Sequence, residues 1–246
     1  MDHEQPLISH LTELRTRIIH SMIFVVLVFL VLAPFSTDVY NIISAPLISK
    51  LPEGTSMIAT EVASSFLVPF KTTMYAAVFI AMPYLIFQIW AFIAPGLYLN
   101  EKRFAIPLLI SSILLFYAGA AFAFFIVFPL VFAFFASVTP EGVSMMTDIG
   151  HYLDFILKMF FAFGLAFEVP IATILLVATG IVTIEDLREK RPYIIVGAFI
   201  VGMILTPPDV LSQFLLATPM LILFEIGLYF CKYFVKEESA DETVSD

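Results

Sequence analysis

The sequence predicts an all-α membrane protein with six transmembrane helices, and three observations carry that prediction. Of its 246 residues 61% are hydrophobic and only 13% charged, against about 25% charged in a soluble domain. The apolar residues gather into uncharged runs at 18–37, 72–100, 104–140, 169–184 and 192–208, with a sixth apolar stretch at 210–224. Several runs reach the ~20 residues that cross a hydrocarbon core of about 30 Å. The third observation is where the bases fall. Under six spans, Arg15, Arg17, Lys102, Arg103, Arg188, Lys190, Arg191, Lys232 and Lys236 share one side, and only Lys50, Lys71 and Lys158 share the other. A bias of that sign puts both termini in the cytoplasm.

The spans are expected at about 18–36, 70–94, 105–130, 154–179, 192–205 and 211–230, within one membrane domain over 1–236. The first residues are polar and mixed in charge, with no small-residue cleavage signal before Pro34, so the first apolar run reads as a permanent span. Residues 37–69 are too polar and too proline-broken to span and are expected as an outer loop with a short amphipathic helix. Span five has only 14 residues, about 21 Å of helix, which leaves a thinned bilayer or a re-entrant hairpin open. Pro83, Pro129, Pro170 and Pro219 lie within apolar segments and are expected to kink them, which suits a curved, open wall better than a cylinder. Segment 237–246 holds five acids and no base. Without it the net charge of −9 becomes −4, so the acidity is largely that of a solvated tail, expected to be disordered, and not of a partner-binding surface, and no nucleic-acid partner is expected. A lone cysteine, Cys231, excludes an internal disulfide. No zinc-type cluster, phosphate-binding loop or nucleophile motif is legible, and no cofactor is expected.

The informative residues are the few carboxylates that break the apolar pattern. Glu13 precedes Arg17 by four positions in a segment expected to be helical, so an i, i+4 ion pair and a receptor for a basic ligand are both open readings. Glu101 sits beside Lys102 and Arg103 in the first inter-span loop. It either balances those charges or joins Glu13 in an acidic patch flanked by Phe92 and Leu97. Arginine's planar fork suits bidentate binding to carboxylates and lysine's ammonium does not, so such a patch would suit paired arginines followed by an apolar stretch. Glu168 lies deep in span four, where an ionisable group costs several kcal/mol unless neutral, paired or water-facing. It is either a functional acid or a carboxyl bonded to a neighbouring helix or to the carbonyl freed by Pro170. Asp209 follows Thr206-Pro207-Pro208 at a turn where a helix begins, and capping is the simpler reading. Glu225 is left open, while Lys71 and Glu61 are expected to anchor span two.

His10-Leu11-x-Glu13-Leu14-Arg15-x-Arg17, Phe92-Ile93-Ala94-Pro95-Gly96-Leu97 with Glu101, Phe167-Glu168-Val169-Pro170, Arg191-Pro192-Tyr193 and Thr206-Pro207-Pro208-Asp209 occur in that order. Together they closely resemble the TatC family, the large integral subunit of the twin-arginine protein translocase, over about residues 7–230. The resemblance implies a curved, glove-like arrangement with helices five and six short, in the inner membrane of a prokaryote. It implies a receptor for twin-arginine signal peptides of folded cargo proteins, driven by the proton-motive force and assembled with TatA-like and TatB-like single-span proteins in a multimeric complex. On that resemblance Glu13 and Glu101 read the arginines, with Leu97, Phe92, Arg17 and Arg103 in the same site. Glu168 is then the intramembrane acid and Asp209 an outer-turn partner contact. Lys102 departs mildly from the pattern, and Lys158 has no role in it. The competing reading is a proton-coupled small-solute transporter with Glu168 as proton carrier, which lacks an internal repeat or a second buried partner. A hydrolase is weaker still, for want of a Ser/His or Ser/Lys pair.

Overall fold

The computed structural model describes residues 4–48, 57–93, 102–138, 147–205 and 210–242. The chain is helical almost throughout, as its uncharged runs predict. Among the described residues, five helical stretches are long and apolar enough to cross a membrane: Ser9–Ser44, Ser64–Ile93, Ala105–Phe135, Ile149–Ala178 and Val210–Lys232. A sixth, Arg191–Ile204, is shorter. The chain divides into two compact units, Met1–Pro95 with Val138–Leu157, and Gly96–Ser137 with Lys158–Asp246.

In the first unit α1 (Glu4–Leu32) reaches a 3₁₀ turn at Ala33–Phe35 and continues as α2 (Ser36–Ile48). Pro34 falls in the first positions of that turn, where its missing N–H disrupts least. The short helix expected beyond span one is therefore α2. Helix α3 (Ser64–Ile93) packs against both α1 and α2. Its buried hydroxyls are satisfied locally, Thr72 donating to the Val68 carbonyl and Thr73 to that of Pro69, each at 2.8 Å. Val68 meets Leu153 and Leu157 in a core closed by Tyr40, Tyr75 and Ile149.

One short parallel pairing departs from the all-helical expectation. Strand β1 (Met57–Ile58) pairs with β2 (Thr147–Asp148), where no alternating pattern announces a sheet. Asp148 is the reason the pairing holds. Its Oδ2 accepts from the Thr60 hydroxyl at 2.6 Å and the Thr60 N–H at 3.0 Å. Its Oδ1 accepts from the N–H groups of Gly150 and His151 at the start of α6 (Ile149–Ala166). One carboxylate thus caps a helix and clasps two segments. The Thr60 hydroxyl, then the Thr60 and His151 N–H groups, hold Asp148 well below the usual carboxylate range.

In the second unit α4 (Lys102–Phe122) passes through a π-helical turn at Ala123–Val127 into α5 (Phe128–Val138). The widened turn lies just ahead of Pro129, whose ring cannot take part in an ordinary α ladder. Helix α6 stops at Ala166, and α7 (Val169–Ala178) begins with Pro170 in its first turn. The expected interruptions at Pro129 and Pro170 are thus present, whereas α3 runs through Pro83 and the last helix through Pro219. Two glycines set the contact between α4 and the second half of α6. A Cβ on Gly119 would stand 2.3 Å from the Phe163 carbonyl oxygen, and one on Gly164 would stand 2.5 Å from the Phe116 ring. Each helix lacks a side chain where the other inserts one.

Gly180, at φ +66°, closes α7. Thr183 then starts α8 (Ile184–Glu189) with a reciprocal capping box to Asp186. Helix α9 (Arg191–Leu205) has 15 residues, about 22 Å. The spanning part of α10 (Val210–Glu242) has 23 residues against 30 to 36 in the other long spans. Helices five and six are thus the short ones, as expected, although the α10 helix itself continues to Glu242. Leu187, Phe224 and Leu228 bury together against Val169, Val177 and Ile194. Gly227 lets α10 approach Pro170 and Thr173 of α7.

Gly119→Ala is expected to lower stability by about 1–3 kcal/mol because backbone must move. Gly197→Ala, with nothing within 4 Å of its added Cβ, should be neutral or stabilising; thermal unfolding in detergent compares them. The folded Asp148 carboxyl titrates below its unfolded value, so its contribution is full above about pH 4 and fades as pH falls further. Amide protection at Thr60, Gly150 and His151, taken relative to the intrinsic exchange rate at each pH, should fall with acid in the parent chain, and Asp148→Asn should show lower protection already at neutral pH with little further loss in acid.

Candidate functional site

The first cluster lies along the seam between α1 and α3. On α1, His10, Glu13, Arg17 and Phe24 recur at helical spacing; on α3, Phe92, Gln88 and Tyr84 stand four residues apart. The helices run antiparallel, and three contacts follow in register. The His10 and Phe92 rings stack at 4.2 Å. Arg17 Nη1 donates to Gln88 Oε1 at 3.2 Å, and Phe24 lies on Tyr84 at 4.4 Å. Gln88 is buried and donates in turn to the Tyr84 hydroxyl at 2.6 Å.

Glu13 and Arg17 do form the ion pair that their spacing allows. Arg17 donates from Nε at 3.0 Å and from Nη2 at 2.6 Å, both to Glu13 Oε1. No donor among the described residues reaches Oε2. Arg17 and Glu13 keep 26% and 35% of their side-chain surface accessible, so the pair is open to a ligand and contributes little stability by itself. The site holds a guanidinium against a carboxylate, beside an aromatic stack. Phe92 lies on this seam, stacked on His10. Arg103 lies in α4, its side chain beyond description, and Leu97, Glu101 and Asp209 fall outside the described residues.

The second cluster surrounds Glu168 in the two-residue break between α6 and α7. Its carbonyl accepts from Ala172 N–H at 2.9 Å, and its own N–H donates to Leu165 at 3.1 Å. The buried Ser112 hydroxyl on α4 donates to Oε2 at 2.5 Å. Oε1 is also buried, and no donor among the described residues reaches it. Of the structural alternatives, the bond to a neighbouring helix is the one present. The arrangement fixes one carboxyl oxygen and leaves the other to accept a further donor.

Other charges sit in pairs that single residues did not announce. Lys71 binds Asp154 at 2.6 Å, an acid inside span four whose partner lies 83 positions away. Glu225 binds Arg191 at 2.6 Å. Gln213 donates to the Phe199 carbonyl at 2.9 Å, tying α10 to α9. Gln88, Ser112 and Asp154 were legible only as polar interruptions of apolar runs, a signal that gives no partner. No group of three His, Cys, Asp or Glu able to hold a metal occurs among the described residues.

Comparison with known proteins bears directly on this arrangement. The family model for TatC, Sec-independent protein translocase protein, matches residues 9–219. The Sec-independent protein translocase protein TatC of Azotobacter chroococcum mcd 1 is 62% identical over 229 residues, covering 93% of this chain and 90% of the relative. That of Escherichia coli (strain K12) is 54% identical over 235 residues, covering 96% and 91%. A crystal structure of the twin arginine translocase receptor TatC superposes with a TM-score of 0.81 at 38% identity, covering 91% of this chain and 98% of that one. The match takes in every described residue of the two clusters, and the chain belongs to the TatC family of Sec-independent protein translocase components.

Proposed function

We propose that this chain is the signal-peptide receptor and core subunit of a twin-arginine protein translocase. It binds paired arginines at the cytoplasmic face of a prokaryotic inner membrane, with both termini in the cytoplasm. The observation that carries the reading is the Glu13 carboxylate, which already accepts a guanidinium from two nitrogens at a half-buried helix seam. A group that accommodates one arginine fork has the geometry to accommodate another. Glu101 supplies the second carboxylate, and Phe92 and Leu97 supply apolar surface for the residues that follow the arginines. Arg17 and Arg103 flank the same site.

Glu168 is a docking acid within the membrane. Its free oxygen suits a hydroxyl or amide donor from the helix of a TatA-like or TatB-like single-span partner, and Asp209 is a second partner contact at the outer turn. The work is binding and transport, powered by the proton-motive force, with no chemical step on the cargo. A solute transporter would need a conduction path and a free proton carrier beside Glu168, whereas Asp154 and Glu225, acids within the apolar stretches, are each paired with a base.

Photocrosslinking from positions 13, 97 and 101 tests the receptor. Glu13→Ala or Glu101→Ala should abolish crosslinks to a twin-arginine precursor while membrane insertion is unchanged; normal crosslinks in both variants refute the assignment. For Glu168, Ser112→Ala removes the side-chain donor to its carboxyl among the described residues and should cost about 1–3 kcal/mol in detergent unfolding. Ser112→Thr, which keeps the hydroxyl, should cost less.

A further inference from the structure

We propose that Arg17 is an internal stand-in for the ligand's guanidinium: it occupies Glu13 between binding events and is displaced by an arriving arginine. The proposal rests on Glu13 being a ligand-reading carboxylate and assigns Arg17 the role of a competitor there, in place of a contact to the peptide. An arginine next to a site for arginines cannot attract them, so its presence needs a reason.

The geometry supplies one. Arg17 sends two of its donors to Glu13 Oε1 and a third to Gln88. It therefore has a second seat, on the other helix, that it retains after releasing the carboxylate. Gln88 is buried and braced by the Tyr84 hydroxyl, so that seat is fixed. Glu13 Oε2 gives an incoming guanidinium a place to engage before Arg17 lets go. Two guanidinium groups drawn to one carboxylate repel each other, and only the one with an alternative partner leaves without being stranded. The exchange replaces one arginine–carboxylate pair with another, and Glu13 is never left unpaired. Affinity then measures the difference between two similar pairs, which keeps binding reversible.

A static role predicts the opposite sign. If Arg17 merely aimed Glu13, removing it would weaken binding. The test is the Kd of a fluorescent peptide bearing Arg-Arg ahead of an apolar stretch, measured on the full chain in lipid nanodiscs. Arg17→Gln should tighten binding roughly two- to fivefold, the factor expected for relieving one accessible ion pair. Arg17→Lys keeps the charge that sets topology and loses the fork, so it should tighten binding in the same direction if Arg17→Gln fails to insert. Glu13→Gln should weaken binding, and in the Glu13→Gln background Arg17→Gln should bring no gain. Unchanged or weaker binding on loss of Arg17, with Glu13→Gln still weakening it, overturns the stand-in alone. An unaffected Kd in Glu13→Gln overturns the reading of Glu13 on which it rests.

Discussion

Hydrocarbon offers no hydrogen bonds, and this constraint governs the rest of the molecule. Wherever a helix is interrupted inside the apolar segments, the protein itself must supply what water would have supplied. The widened turn before Pro129 changes the backbone pairing without opening the chain. At Phe167–Glu168 the break is held by bonds to Leu165 and Ala172, and its acid is met by a hydroxyl from α4. The Gly119 and Gly164 notches bring α4 close enough for that hydroxyl to arrive. A side chain as small as alanine at Gly119 collides with backbone, so the packing and the position of the acid are one problem.

The same constraint separates what was legible in the sequence from what was not. Span number, span order and the shortness of helix five are one-dimensional properties of apolar length, and they are visible without coordinates. Glu168 is visible for the same reason, as a charge where none is expected. Its partner Ser112 is not, because a serine in an apolar helix is common and nothing in its neighbours names α6 or α7. Asp154 was hidden differently: Lys71 looked like an ordinary boundary anchor, and the two meet across 83 residues of chain. Glu13 and Arg17 were readable as a pair because a helix converts sequence spacing into distance. Their extension to Gln88 depends on how α1 lies on α3, which no local pattern encodes. The β1–β2 pairing is the extreme case, two residues on each side, with Thr60 beyond β1 tied to the Asp148 carboxylate.

Local and distant contacts therefore divide the work. Short-range bonds, such as the Thr183–Asp186 box and the hydroxyl bonds within α3, keep each helix self-sufficient. Asp186, like Asp148, is held below the usual carboxylate range, here by the Thr183 hydroxyl and N–H. Among the described residues, long-range polar contacts that join helices include Arg17 to Gln88, Lys71 to Asp154, Ser112 to Glu168, Gln213 to Phe199 and Arg191 to Glu225. Between those points the helices meet through apolar and aromatic surface, which specifies distance but tolerates sliding. The polar contacts supply register.

The Asp148 clasp has a consequence for biogenesis. Thr60 and Asp148 are 88 residues apart, and the chain between them contains α3, α4 and α5. The two ends can meet only after that hairpin has been threaded and both segments face the same compartment. Closure of so long a loop gains nothing until then, so the clasp can form only after α5 has been made and inserted. A chain inserted with one of those helices missing or inverted would hold Thr60 and Asp148 on opposite sides of the membrane and could not close the clasp.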